Sequence, residues 1–125
     1  MRVLVCGDRN WADEELIEKS ILRLHLEGNT GAGKISLIIS GEAEGADSLA
    51  KKVSSRLGLK YSGFPALWEK YGKAAGPLRN KQMLEEGKPE LILAFHDDLD
   101  HSKGTKDMVE RARKAGVPVK VISHK

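Results

Sequence analysis

The sequence predicts an α/β fold: a single, Rossmann-like, doubly wound domain around a parallel sheet of five strands. Three observations predict it. Short aliphatic and β-branched runs alternate with longer segments whose apolar residues recur at helical spacing. Glycines follow the first two of those runs, where a strand must turn into a helix. The 125 residues suffice for one domain with one core.

Strand one is read over residues 2–6, a short run (RVLVC) almost at the N-terminus. Helix one follows from Asp13 to Glu27, with Leu16, Ile17, Ile21 and Leu24 on one face and Asn10 or Asp13 as its cap. Strand two is Ile35 to Ser40. Helix two runs from Gly45 to Leu57, turning Leu49, Ala50, Val53 and Leu57 inward, and Gly58 ends it. Strand three, Lys60 to Phe64, stops at Pro65. Residues 66–76 read as irregular, and Pro77 as the first residue of a helix reaching Gly87. Strand four is Leu91 to Phe95, helix four Thr105 to Ala115, and strand five Val119 to Ile122. Right-handed crossovers then give the strand order 3-2-1-4-5. The order reverses between strands one and four, and ligands of such sheets sit outside the carboxyl ends of the strands at that switch.

Composition narrows the class of partner. Charged residues make up 31% of the chain, yet the formal net charge is only +3. No Lys/Arg block or stripe stands out, so an anionic small molecule suits the chain better than nucleic acid, which asks for a basic face. No apolar run approaches the roughly 18 residues that span a bilayer, and the N-terminus has no signal-peptide layout. A cytoplasmic protein with no membrane partner is expected. Cys6 is the one cysteine, which excludes an internal disulfide and a thiolate metal cluster. It reads as a small buried hydrophobe or, beside its glycine turn, as a reactive thiol. No cofactor and no metal are expected.

The loops after strands one, two and four are where chemistry should lie. After strand one come Gly7-Asp8-Arg9-Asn10-Trp11: Gly7 permits a tight turn, and Arg9 either forks onto a phosphate or carboxylate or is a surface arginine beside a cap. After strand two come Ser40-Gly41-Glu42-Ala43-Glu44-Gly45-Ala46-Asp47. Gly41 and Gly45 frame a strand-to-helix turn whose free amides attract an anion. Asp47 either answers the helix dipole or accepts a ligand hydroxyl. Arg79 and Asn80 lie in the first turn of the next helix, with Lys73 in the irregular segment before it, pointing into the crevice or solvated. After strand four, Gly104 and Thr105 open a second helix that offers a second anion seat, with Asp107 in its first turn. The run His96, Asp97, Asp98, Asp100, His101 has the oxygen ligands of a hard cation, or is a solvated loop.

One further loop invites a different reading. Residues 28–34 match a Walker A loop as far as Lys34, but Ile35 replaces the magnesium-binding hydroxyl and a strand follows the loop instead of preceding it. It reads as a plain turn on the opposite edge of the sheet.

Taken together, GDRNW at 7–11, SGEAEGAD at 40–47, WEKYGKAAGPLRNKQM at 68–83 and GTKDMV at 104–109 resemble the SLOG superfamily, in particular its small bacterial and phage branch related to YspA. More distantly, the chain is similar to the Lonely Guy phosphoribohydrolases and DNA-processing protein A. The resemblance implies binding of a nucleotide, nucleotide sugar or ADP-ribose-like signal at the crevice, and a homo-oligomer. Lonely Guy enzymes pair an arginine of an R-x-x-x-M helix with a glutamate of a PGGxGTxxE loop; by motif position the pair is expected at Arg79 and Asp107, with Met83 as the methionine. Two departures stand out. Glu42 takes the place of a phosphate-loop glycine, and Ser102-Lys103 stand where the PGG would precede Gly104. They weigh against hydrolysis more than against binding.

Three functions follow as expectations. The first is a module that senses or sequesters a phosphate-bearing, nucleotide-derived small molecule through Gly7, Arg9, Gly41, Gly45, Asp47, Lys73, Arg79, Asn80, Gly104 and Thr105. The second is hydrolysis of a nucleoside monophosphate's N-glycosidic bond by Arg79 and Asp107. The third is single-stranded DNA binding along Trp68 to Lys73.

Overall fold

Alternation along the strands divides the core into two halves. Val3, Val5, Ile38, Leu93 and Phe95 point to one side of the sheet, while Leu4, Cys6, Ile39, Ile92 and Ala94 point to the other. Both sides are apolar because helices cover both, as a parallel sheet requires. The computed structural model describes residues 1–27 and 34–125; the loop read as a turn at Gly28–Gly33 lies outside the described residues.

The elements are β1 (Arg2–Gly7), α1 (Glu14–Glu27), β2 (Leu37–Ser40), α2 (Ala46–Arg56), β3 (Tyr61–Gly63), α3 (Trp68–Tyr71), α4 (Ala75–Gln82), β4 (Leu91–Phe95), α5 (Gly104–Lys114) and β5 (Val119–Ile122). All neighbouring strands are parallel, in the order β3-β2-β1-β4-β5 that the sequence predicts. Ile17 and Ile21 of α1 and Ala46, Ala50 and Val53 of α2 cover the first face. Met83, just beyond α4, and Met108, Val109 and Ala112 of α5 cover the second. Each fully buried aliphatic or aromatic side chain contributes roughly 1.5–3 kcal/mol through removal from water. No helix among the described residues is long and apolar enough to cross a membrane.

The structure departs from the sequence reading in the middle of the chain. Residues 66–76 are not wholly irregular: α3 and a 3-10 turn, Gly72–Ala74, fill most of the segment. Helix α4 starts at Ala75, so Pro77 is its third residue and not its first. A proline costs little there, because amides of the first helical turn have no intrahelical acceptor to lose. Beyond Gln82 the helix widens into a π turn, Met83–Gly87, and stops where Lys88 adopts a left-handed conformation (φ 49°). Strand β2 begins at Leu37, two residues later than expected, yet Ile35 is buried and its amide donates to His25 Nδ1 (3.1 Å).

The sheet's far edge is tied back by one histidine near the C-terminus. His124 Nδ1 meets Asp97 (2.8 Å) and its Nε2 meets Asp13 (2.8 Å). Its ring stacks on Trp11 at 4.5 Å between centroids, and Trp11 packs edge-on to Phe95. The clamp thereby joins the tail after β5 to the loops after β1 and β4. Only an imidazolium donates from both nitrogens. The hydrogen bond to Asp97, then that to Asp13, raises the His124 pKa, and the same bonds lower those of Asp97 and Asp13.

The sign of the pH effect follows. A raised folded pKa means the histidine's contribution is complete below its ordinary 6.5 and fades as pH climbs through the higher folded value. The carboxylates' contribution fades at the acid end, as pH falls through folded values below 3.8. Denaturant titrations of the native chain and His124→Ala should therefore show their widest stability gap at about pH 5–6 and a narrowing gap toward alkaline pH. A gap independent of pH would contradict the clamp.

Candidate functional site

At the switch between β1 and β4 the loops diverge, leaving a cleft of about 600 Å³ beyond the strands' carboxyl ends. Cys6, Met83 and Met108 form its apolar floor. Gly7 to Asn10, Ala43, Asp47, Arg79, Asn80 and Ser102 to Thr105 form its walls, with His96, Asp98 and His101 at one side. The three segments singled out by sequence thus meet in one place. Burial pushes the Cys6 thiol far up, with Asp47 adding to the effect, so it is an inert floor residue and not a nucleophile.

Close backbone approach builds the cleft. A Cβ on Gly7 would collide with the carbonyl of Phe95 and with Ala46, so glycine lets the ends of β1, β4 and α2 crowd together. Gly45 holds φ 74°, and a Cβ there would run into the carbonyls of Asp8 and Arg9. That contact lets the Ala46 amide donate to the Asp8 carbonyl (3.1 Å). Gly41 gives way to Arg79, whose guanidinium lies where a side chain would stand.

The amides of the loop after β2 are in part committed. Ala43 N–H donates to Asp47 Oδ2 (3.2 Å), and Ala46 N–H is taken by Asp8. The acid in the first turn of α2 thus folds back on its own loop, while the Asp47 and Ser48 amides have no partner among the described residues. The start of α5 is similar. Lys106 and Asp107 amides have partners in Ser102 Oγ and the Lys103 carbonyl, whereas among the described residues the Gly104 and Thr105 amides have none. Open space surrounds Gly104 on its Cβ side, and Thr105, a largely buried residue, lines the cleft with its hydroxyl making no hydrogen bond among those residues.

Arg79 is the central cation. Its Nε donates to Asn80 Oδ1 (3.0 Å) and its Nη1 to the Gly41 carbonyl (2.5 Å), leaving three of five N–H groups uncommitted. Among the described residues it forms no ion pair, and burial lowers its pKa. Asp47, only 6% exposed, is the buried carboxylate of the same wall. Burial raises its pKa to about 6, against the opposing pull of the Ala43 amide and Arg79. Arg9 is exposed and free of hydrogen bonds and ion pairs among the described residues.

Asp107 does not line the cleft. Its Oδ2 accepts from Asn80 Nδ2 (2.9 Å) and from Arg111 Nε (2.8 Å), so it braces α4 against α5. The reason is helical register. Counting Gly-Thr-x-x-Glu from Gly104 reaches residue 108, one position further than Asp107, and adjacent helical residues point about 100° apart. Met108, fully buried on the cleft floor, stands at the glutamate's position. Asn80 completes the brace by also donating to the Gly104 carbonyl (3.3 Å). Lys73 sits exposed in the 3-10 turn and lines neither this cleft nor its neighbours.

The sequence reading missed Asp8, Asn10, Ser102 and Lys103 as wall residues. Asp8 Oδ1 accepts the Asn10 amide (2.9 Å), a local turn whose only sequence signal is the Asp-x-Asn spacing. The acidic run after β4 is split between histidines: Asp97 bonds His124, and Asp98 bonds His101 (2.7 Å). Among the described residues no three His, Cys, Asp or Glu side chains form a group able to hold a metal ion. A second cleft of about 380 Å³ adjoins the first, with Arg9, Ala43 and Arg79 in the walls of both.

A carboxylate held near pKa 6 lowers stability at neutral pH. The folded chain keeps a proton that the unfolded chain releases at 3.8, so stability falls as pH rises from 3.8 to about 6. The difference corresponds to about 3 kcal/mol above pH 6. Asp47→Asn, which keeps an acceptor for the Ala43 amide, should be more stable than the native chain at pH 7 by up to about that amount, with the gain vanishing near pH 4. Gly45→Ala should lose at least about 2 kcal/mol in the same denaturant titration.

Comparisons with known proteins agree with this architecture. The chain is 36% identical over 126 residues to the Gene 61 protein of Mycobacterium phage D29, an alignment covering 94% of this chain and 93% of that one. Its fold is similar to the X-ray structure of DNA processing protein A (DprA) from Streptococcus pneumoniae, with a TM-score of 0.73 at 20% identity. That superposition takes in 99% of this chain but only half of DprA, so the likeness is one of fold. The YAcAr family model matches residues 1–71, which hold β1 through α3 and the glycine loops after β1 and β2. The chain belongs to this YspA, cpYpsA-related SLOG family.

Proposed function

We propose that the chain binds a nucleotide-derived, phosphate-bearing small molecule in the cleft at the β1–β4 switch, as a sensing or sequestering module. One observation carries the reading. Arg79, half-buried and without a carboxylate partner among the described residues, shares a cleft with the uncommitted Gly104 and Thr105 amides. A phosphate placed between them satisfies both sets of donors and gains the positive end of the α5 dipole. Charge-assisted hydrogen bonds of this kind contribute roughly 1.5–3 kcal/mol each, and three or four reach about micromolar affinity. The Thr105 hydroxyl and Asp47 carboxylate are suited to ribose hydroxyls, and membership of the SLOG family supports a nucleotide-type ligand.

Binding is favoured over N-glycosidic cleavage by the place of Asp107. Its carboxylate is engaged by Asn80 and Arg111, and a thioether stands where the family's hydrolases carry an acid. The likeness to a DNA-processing protein and the exposed Trp68 and Tyr71 keep single-stranded DNA as a second reading, with Lys70 Nζ 5.1 Å from the Tyr71 ring.

Calorimetry with adenosine monophosphate at low salt should give a dissociation constant on the order of micromolar, weakened at least about tenfold in Arg79→Ala. Chromatography of the same mixture should show no free base. Equal affinity in the two proteins, or no binding, would refute the reading. Release of adenine would replace it with hydrolysis, and a salt-dependent gel shift without nucleotide binding would replace it with DNA binding.

A further inference from the structure

We propose that the apolar groove between the segment after β3 and helix α4 docks an acidic segment of a partner protein, anchored by aliphatic side chains. Apart from Arg79 this surface lies outside the nucleotide cleft, and its occupation does not depend on that reading.

Pro65, Leu67, Tyr71, Ala75 and Leu78 line a groove of about 330 Å³, with Arg79 its one charged member. Leu67 is 51% exposed, and Tyr71 and Leu78 are each 43% exposed. With Trp68 they make up most of the exposed large hydrophobic side chains among the described residues, all within residues 67–78. The core does not ask for them. Helix α4 buries its small residues Ala75 and Gly76 together with Asn80, while Leu78 faces out, and α3 buries nothing. Helices that turn small residues inward and large apolar ones outward present a surface for a partner.

Charge narrows the kind of partner. The chain's formal net charge is +3, and residues 65–83 carry all of it, with Lys70, Lys73, Arg79 and Lys81 against Glu69. Elsewhere the charges balance. With Arg79 given to the cleft, three lysines still face one glutamate. Among the described residues Lys70 and Lys73 form no ion pair, and Lys81 comes no nearer to Glu85 than 4.0 Å. A basic rim around an apolar groove complements acidic side chains set around apolar anchors. A second copy of this chain would bring the same lysines to the rim, so like charges would oppose one another.

The aromatic faces favour a peptide over a nucleic acid. Bases need open rings to stack on. Lys70 Nζ stands 5.1 Å from the Tyr71 ring, and Arg9 stands 6.0 Å from that of Trp68, whose edge rests on Gly76. The remaining apolar wall of the groove is aliphatic and suits a leucine or isoleucine side chain.

The test selects a random peptide library, displayed on phage, against the immobilised native chain and measures the recovered peptides by fluorescence polarisation. Enriched sequences should combine aspartate or glutamate with spaced leucine or isoleucine, and should bind more weakly as salt rises. Their affinity should fall at least about tenfold in Leu67→Ser with Leu78→Ser, and in Lys70→Glu with Lys73→Glu. All four side chains are exposed, so both variants should melt as the native chain does. No enrichment, enriched sequences without acids, or affinities unchanged in both variants would overturn the proposal. Two further results would overturn it by giving the groove another occupant. One is a labelled oligothymidylate bound by the native chain and lost in the leucine variant, and the other a dimer in sedimentation that the same variant dissolves.

Discussion

A guanidinium carried below the surface without a carboxylate must be held by neutral acceptors, and that constraint organises this molecule. Arg79 is held by the Gly41 carbonyl and the Asn80 amide, which keep it in place without cancelling its charge. Both restraints depend on glycine or on a buried amide. A side chain at Gly41 would collide with the guanidinium, and Asn80 is fixed in turn by Asp107 and the Gly104 carbonyl. Arg111 then neutralises Asp107 on the side away from the cleft. The Asp107 carboxylate is thus committed to a brace, and among the described residues the arginine's charge has no ion pair.

Asp47 presents the opposite economy. Its carboxylate sits in low dielectric, organises the loop after β2 through the Ala43 amide, and is destabilising when charged. It therefore joins a perturbed acid to a cleft wall, the combination that makes Asp47 a candidate for the proposed binding. Its position also separates the two helix starts of the site: the first turn of α2 brings a carboxylate into the cleft wall, whereas the Asp107 carboxylate of α5 is turned to Asn80 and Arg111. The phosphate seat is accordingly proposed at α5.

Much of the fold was legible because its signals are local and repeated. Continuous aliphatic runs in β1, β2 and β4, helical spacing in α1 and α5, and glycines at strand ends fix the elements, and crossover handedness then fixes the strand order. The start of α4 was misplaced because Pro77 is tolerated at any position of a first turn, so its presence does not mark the first residue. Placement in the cleft lining was legible for Arg79, Asn80, Gly104 and Thr105, whose types and loops agree. The state of its donors was not. Whether the amides near Gly45 are free depends on the side chain of Asp47 and the carbonyl of Asp8, and no spacing rule shows that. Asp107 was misassigned by a single residue of register, which on a helix turns a side chain from cleft to brace. His124 carries no sequence signal at all, since its partners Asp13 and Asp97 are distant in the chain and converge only when β5 closes the sheet's edge.

Arg79 and the start of α5 are proposed to form one phosphate seat. Nitrogen-15 NMR of the labelled chain during titration with adenosine monophosphate tests that directly. The account predicts saturable shifts concentrated at the Gly104 and Thr105 amides and at Arg79 Nε, with the Ala43 and Ala46 amides, already bonded to Asp47 and Asp8, moving far less. Shifts confined to the loop after β2, or scattered over exposed lysines, would contradict it.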